Sequence, residues 1–307
     1  QQQELADSNY QKAMNSLDKN PEYSSTIGNL FKFYNLLDNA ILAFEKAMQQ
    51  NPNANYNFQI AQIYGEKGDY QRMFESYLEL VDKNESYLSL VQRYASQYIT
   101  DDSENETNLL FKKTLLRKSV SNAKDEWNIL LSWLFAQQKE YGKALIQEKA
   151  LYNRNAFDLA EIFSLGKLAF DNKDYETAEL CFDFISEKTA SIDEKINANL
   201  YLAKIAVATK NPATEKLFES LFTKFGITEF TIQLQVEYAD FLTFSKNDPE
   251  KARAVLEKAL TFSKSKFDEA RIKLKLGDVL VFSGNFNKAL IYFSQIQTQL
   301  ADDELAQ

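Results

Sequence analysis

The side chains that most often carry catalysis are scarce in this sequence. It has no histidine and one cysteine, Cys181. Imidazole is the commonest general base near neutral pH and the commonest transition-metal ligand, and a thiolate zinc site needs several cysteines. Both chemistries therefore lack their parts within one chain. A single cysteine also allows no intrachain disulfide. Cys181 falls on an apolar helix stripe, where it reads as a small buried hydrophobe. Carboxylates and amines remain. Asp101-Asp102 and Asp302-Asp303 are adjacent acid pairs, material for calcium binding or acid–base work, but such neighbours on loops are ordinarily solvated. Lys112, Lys113, Arg117 and Lys118 could meet a phosphate, yet their spacing fits one solvated flank of a helix. There is no Gly-rich phosphate loop, no G-x-S-x-G and no H-E-x-x-H. The expectation is no catalytic residue, no cofactor and no metal, hence no enzyme, with activity residing in a surface.

Composition narrows what that surface meets. The net charge of −9 and pI near 4.9 oppose nucleic acid, whose binders need a basic face to neutralise phosphates. No run approaches the roughly 18 apolar residues of a membrane span. The longest strongly apolar stretch, Leu130 to Ala136, is interrupted by Ser132. The chain opens Gln1-Gln2-Gln3 without Met and without a signal peptide. The expectation is that an upstream segment was removed, as export or trimming would leave it.

The elements that must carry this surface are helices. Only eight residues are Gly and four are Pro, too few for the turns of a sheet-rich fold. Hydrophobic residues make up 45%, too many for a disordered chain. A phrase recurs along the chain: a small or polar residue, an acidic residue or Asn, an aromatic, then a small residue three positions on. It reads Gly68-Asp69-Tyr70 with Met73, Lys139-Glu140-Tyr141 with Ala144, Lys173-Asp174-Tyr175 with Ala178, and Gly284-Asn285-Phe286 with Ala289. A looser copy, Asn247-Asp248-Pro249, precedes Ala252. Measured at Ala40, Met73, Ala144, Ala178, Ala252 and Ala289, the intervals are 33, 71, 34, 74 and 37. Two intervals are double the others, so divergent units belong near residues 107 and 215.

A ladder of about 34 residues with these types resembles the tetratricopeptide repeat family, whose signature is W-x2-L-G-x2-Y, then A-x3-F, then P. The first unit offers Ile27-Gly28-x2-Phe31, Ala40-x3-Phe44, Ala47 and Pro52. The second has Ile60-Ala61-x2-Tyr64 and Met73-x3-Tyr77. Later units read Leu165-Gly166-x2-Ala169 with Ala178-x3-Phe182, and Leu276-Gly277-x2-Leu280 with Ala289-x3-Phe293. The small residues sit where two helices cross closely, and the aromatic fills the space beside the crossing. The resemblance implies an all-α, right-handed superhelical solenoid of about eight antiparallel helix pairs over residues 22–307, with residues 1–21 as a helix against the first unit. Units near 85–122 and 195–226 depart from the pattern: Glu215 stands at the small position of the latter, and Glu148 replaces the aromatic after Ala144. Thr100 to Thr107 reads as a loop. Ala301 to Gln307 resembles the start of another helix, so a continuation past Gln307 is expected.

In the family, first helices of successive units line the concave face. Register then selects Asn29, Lys32 and Phe33, next Gln62 and Glu66, then Trp133 and Gln137. It continues with Lys167, Phe170 and Asp171, then Lys204, then Asp240 and Phe244, and last Asp278 and Phe282. Aromatics beside mixed charges suit a protein or peptide groove. Phe33, Phe170 and Phe282 equally suit packing between neighbouring repeats. A family subtype clamps C-terminal carboxylates with Lys, Asn and Arg. Here Asn29 matches one position, but Ser25, Asn55 and Phe58 stand where cations are required, so that activity is not expected. The resemblance implies a non-catalytic scaffold or adaptor with protein or peptide partners. The Asn-, Lys- and Phe-rich composition is similar to exported repeat proteins of Bacteroidota, which implies a periplasmic location and an accessory subunit of an outer-membrane secretion or assembly complex. A cytoplasmic peptide-binding regulator, and the recognition arm of a longer protein, are the alternatives.

Overall fold

A computed structural model describes residues 2–51, 53–155 and 158–299. Pro52, Asp302-Asp303 and the expected helix start at 301–307 lie outside the described residues. Within them every regular element is helical, and no helix is long and apolar enough to cross a membrane. The chain divides into two compact units, Gln1–Ala156 and Phe157–Gln307.

The first unit begins with α1 (Gln2–Ser16). Four helix pairs follow: α2 (Ser24–Phe33) with α3 (Leu37–Gln50), α4 (Asn57–Glu66) with α5 (Tyr70–Lys83), α6 (Leu88–Ala95) with α7 (Glu106–Ser121), and α8 (Asp125–Gln137) with α9 (Tyr141–Asn155). The second unit has four more: α10 (Ala160–Asp171) with α11 (Tyr175–Lys188), α12 (Ile192–Ala208) with α13 (Thr214–Phe225), α14 (Ile232–Asp240) with α15 (Pro249–Phe262), and α16 (Lys266–Phe282) with α17 (Phe286–Gln299). α1 meets the first pair through Tyr10, edge-on to Phe31 at 5.9 Å, and through Lys46 Nζ, which donates to the Met14 carbonyl at 3.0 Å.

One turn explains why the chain pairs its helices. Seven of the eight pairs reverse direction through a left-handed residue: Asn35, Gly68, Lys139, Lys173, Lys210, Asn247 or Gly284, with φ between 54° and 76°. Two of these are glycine, which takes that conformation without strain; the others are Asn or Lys, which tolerate it at a helix end. The next residue's N–H then returns to a carbonyl five residues back, as from Leu36 to Phe31, Asp69 to Tyr64, Glu140 to Phe135, Asp174 to Ala169, Asn211 to Ala206 and Asn285 to Leu280, at 2.8–2.9 Å. Asp69, Asp174 and Asp248 also cap the following helix by accepting from Arg72, Thr177 and Lys251 N–H groups. At these three turns the recurring acidic residue of the sequence phrase is this cap.

The small residues sit at the crossings as their type requires. Ala40, Met73, Ala144, Ala178, Ala252 and Ala289 are buried. A Cβ on Gly28 would stand 2.6 Å from Phe44 Cε1, and one on Gly166 would stand 2.9 Å from both Cys181 Cβ and Phe182 Cζ. Cys181 is itself fully buried in this contact.

Two departures have physical causes. In the 195–226 pair the crossing residue is Thr214, not Glu215. Thr214 is buried, and its hydroxyl donates to the carbonyls of Asn211 at 2.6 Å and Ala206 at 3.1 Å. Thr214-x3-Phe218 is therefore the local copy of the small-x3-aromatic pattern, one residue earlier than the ladder places it. Glu215 points outward to Lys246 and Lys251 at 2.9 and 3.0 Å. In the 85–122 pair, α7 packs on α5 and α8 rather than along α6. Buried Asn108 fastens the preceding loop: its amide donates to the carbonyls of Thr100 at 2.8 Å and Asp102 at 2.7 Å, and its oxygen accepts from Thr100 N–H at 3.1 Å.

Candidate functional site: the first-helix face of the second unit

Within the second unit the first helices of successive pairs touch, α12 with α14 and α14 with α16, whereas the second helices make no comparable contact. The first helices thus form one continuous face. Their length matters here. α12 and α16 each run 17 residues, against 10 for α2 and α4, so this face is tall. α14 is extended by a π-helical turn, Phe241–Ser245. It absorbs an extra residue, because the closing bond of this pair runs from Asp248 N–H to the carbonyl of Leu242, six residues back. Wider turns of this kind often mark functional positions.

The face reads as a row of charges edged by aromatics. On α10, Lys167 and Asp171 are exposed, and half-buried Phe170 lies edge-on to Tyr201 at 5.8 Å. Tyr201, on α12, stacks on Phe182 at 4.6 Å. One turn further along α12, the Lys204 ammonium lies 5.2 Å from the Tyr201 ring centre and 3.7 Å from the Glu237 carboxylate of α14. Asp240, one turn beyond Glu237, pairs with Lys275 of α16 at 2.8 Å, and Lys275 also lies 3.6 Å from Asp278. Four residues past Asp240 and Asp278 stand Phe244 and Phe282, edge-on at 5.5 Å yet 59% and 44% exposed.

The carboxylates here are incompletely neutralised. Burial pushes the Glu237 carboxyl up, and the neighbouring Asp240 adds to the rise; Lys204 and Lys275 oppose it without cancelling it. Burial also raises Asp278, again with Asp240 contributing. Burial and the charges of Asp171 and Glu237 raise the Tyr201 hydroxyl. Asp240 Oδ1 is buried without a hydrogen-bond partner.

In the first unit the selected residues form a pair but no connected row. Lys32 and Glu66 form a 3.0 Å ion pair between α2 and α4. Exposed Asn29 donates to Ser25 Oγ at 3.5 Å, and Phe33, 79% exposed, lies edge-on to Tyr34 at 5.1 Å. Gln62 is half-buried and Gln137 exposed. Trp133 packs edge-on to Phe111 at 6.2 Å.

The basic cluster has another role. Arg117 pairs with Glu75 at 3.1 Å, and Lys118 bridges Glu79 at 2.5 Å and Asp82 at 3.0 Å, tying α7 to α5. Lys124 joins Asp82 at 2.6 Å. Among the described residues no three His, Cys, Asp or Glu side chains gather as a metal site would need.

Sequence register missed Tyr201, Glu237 and Lys275. Each lies three residues before a selected one (Lys204, Asp240, Asp278), so the helical i−3 neighbour was the available signal.

Residues 54–86, which span α4, its turn and α5, match the family profile described as tetratricopeptide repeat. Among solved structures, the chain is similar to a tetratricopeptide repeat protein from Parabacteroides merdae at 17% identity, covering 94% of this chain and 96% of that one, with a TM-score of 0.43. It is similar to yeast Tom70 at 13% identity, 92% and 85% coverage and a TM-score of 0.39. It is similar to Pseudomonas aeruginosa pilF at 15% identity, 72% and 96% coverage and a TM-score of 0.38. No curated protein matches the sequence.

Proposed function

We propose that this chain, built of tetratricopeptide-type helix pairs with one matched repeat at 54–86, is a non-catalytic scaffold that holds a segment of a partner protein on the first-helix face of its second unit. The observation that carries this reading is the connected row from Tyr201 through Lys204, Glu237, Asp240 and Lys275 to Asp278, with Phe244 and Phe282 exposed beside it. An exposed aromatic pair next to half-buried charges is the combination that interface anchors use. Many repeats acting together supply affinity by complementarity, without bond-making.

The test is site-specific photocrosslinking in native cells. A photoreactive side chain at Phe244 or Phe282 is expected to capture a protein, while the same group at Leu180 or Ile146, exposed on second helices, is not. Capture from the second-helix positions alone would contradict the reading. The finer setting we propose is the cell envelope, as an accessory subunit of an outer-membrane secretion or assembly complex. Its support is the Asn-, Lys- and Phe-rich composition. Recovery of the chain in the cytoplasmic fraction of its native cells would remove that setting and leave the scaffold reading intact.

A further inference from the structure

We infer that the occupant of this face is a basic segment of the partner, with an apolar side chain seated on Phe244 and Phe282 and Lys or Arg side chains reaching Asp240 and Asp278. The inference rests on the scaffold reading and names the chemistry of its partner. Three steps lead to it.

First, the apolar seat is real and uncovered. Phe244 and Phe282 touch edge to face and keep about half their surface in water. One stands on the π turn after α14 and the other at the end of α16, and they meet at 5.5 Å. An aliphatic or aromatic side chain laid across them would bury both rings.

Second, the charge beside the seat has one sign in excess. Three carboxylates face two ammoniums: Lys275 pairs with Asp240 at 2.8 Å and Asp278 at 3.6 Å, and Lys204 approaches only Glu237, at 3.7 Å. An acidic segment would meet like charge at half-buried groups, where repulsion is screened least. A basic segment would meet its complement.

Third, an acceptor there lacks a donor. Lys275 satisfies Asp240 through Oδ2 at 2.8 Å, while Oδ1 is buried with no hydrogen-bond partner. The Asp240 side chain is 24% exposed, and rotation of its carboxylate would turn Oδ1 toward a guanidinium or ammonium of the bound segment, which supplies the donor.

The experiment is fluorescence anisotropy on the purified full chain with three labelled peptides of equal length. One intersperses Lys and Arg with Leu and Phe, one carries Glu at each basic position, and one carries Ser at each apolar position. The basic–apolar peptide is expected to bind, more weakly as salt rises, and the other two to bind at least about tenfold less tightly. Asp240→Asn with Asp278→Asn, or Phe244→Ala with Phe282→Ala, should each weaken it by about tenfold or more. Lys275→Gln should tighten it, a gain that misfolding could not produce. Preference for the acidic peptide, or basic-peptide affinity indifferent to Asp240, Asp278 and Lys275, would overturn the inference. If no peptide binds while Phe244 and Phe282 still crosslink to a protein in cells, the basic partner is wrong and the scaffold reading stands. If the crosslinks also fail, both fall.

Discussion

Two half-buried charge clusters, one in each unit, make opposite use of the same side chains. Between α5 and α7 of the first unit, Lys118 and Lys124 converge on Asp82. The Lys124 hydrogen bond, with Lys118 behind it, outweighs burial and holds the Asp82 carboxyl below the usual carboxylate range. That cluster fastens two helices. On the first-helix face of the second unit, Asp240 and Asp278 share Lys275, Glu237 has only the more distant Lys204, and burial leaves Glu237 and Asp278 above their ordinary values. A close, hydrogen-bonded ammonium outweighs burial in the fastening, and burial outweighs a more distant ammonium in the face held in readiness. A buried ion pair is weak evidence of stability in either case; the direction of the pKa shift tells which sign to expect.

The largest expected effects concern the crossings that hold each face in place. Ala178→Trp should separate α10 from α11 and destabilise the second unit by roughly 3 kcal/mol, as overpacking of a close crossing does. The same reasoning separates Thr214 from its neighbour. Thr214→Trp should destabilise comparably, whereas Glu215→Trp, pointing outward, should cost about 1 kcal/mol or less. Urea unfolding reads all three. Equal midpoints for the Thr214 and Glu215 variants would break the register assigned to α13.

Smaller effects sharpen the comparison of the clusters. Asp82 is lowered from 3.8, so its contribution is present above that pH and is lost as pH falls through the lowered value. Asp82→Asn should therefore cost about 1 kcal/mol near neutrality and nothing in strong acid. Glu237 is raised from 4.5, so the native state holds its proton more tightly than the unfolded chain does. Its unfavourable contribution is absent below that pH and sets in as pH rises through the raised value. Glu237→Gln should accordingly be neutral or stabilising near pH 7, by up to about 1 kcal/mol, and the gain should vanish in acid. Unfolding free energies across acid and neutral pH give both curves. Two variants changing in the same direction with pH would end the contrast.

Much of the fold was legible because one turn needs several residue types at once. The left-handed residue, the capping Asp or Asn and the small residue four positions later recur together, as at Lys173, Asp174 and Ala178. Where one type is exchanged for another that meets the same need, the ruler slips. Thr214 closes its crossing by hydrogen-bonding its own turn, so a polar residue does the work of Ala one position early. In the 85–122 pair the motif is absent, and Asn108 instead binds a loop that no periodicity describes. The π turn left no mark in residue type at all; its sign is the six-residue closure from Asp248 to Leu242. For the site, single positions were legible and their connection was not. Lys204, Asp240 and Asp278 were selected by register, but Glu237 and Lys275, which link them across helices, depend on how α12, α14 and α16 are spaced. In the first unit the same register selects residues such as Asn29 and Trp133 that belong to local contacts.

Hydrogen exchange tests the account most directly. The full chain would be compared alone and with the protein captured from cells at Phe244 or Phe282. Slowed exchange confined to the ends of α12, α14 and α16, including the π turn at 241–245, is the result expected of a partner held on the first-helix face. Slowing in α3, α5 and α7, with the first helices of the second unit unchanged, would contradict it and move the binding surface to the second helices of the first unit.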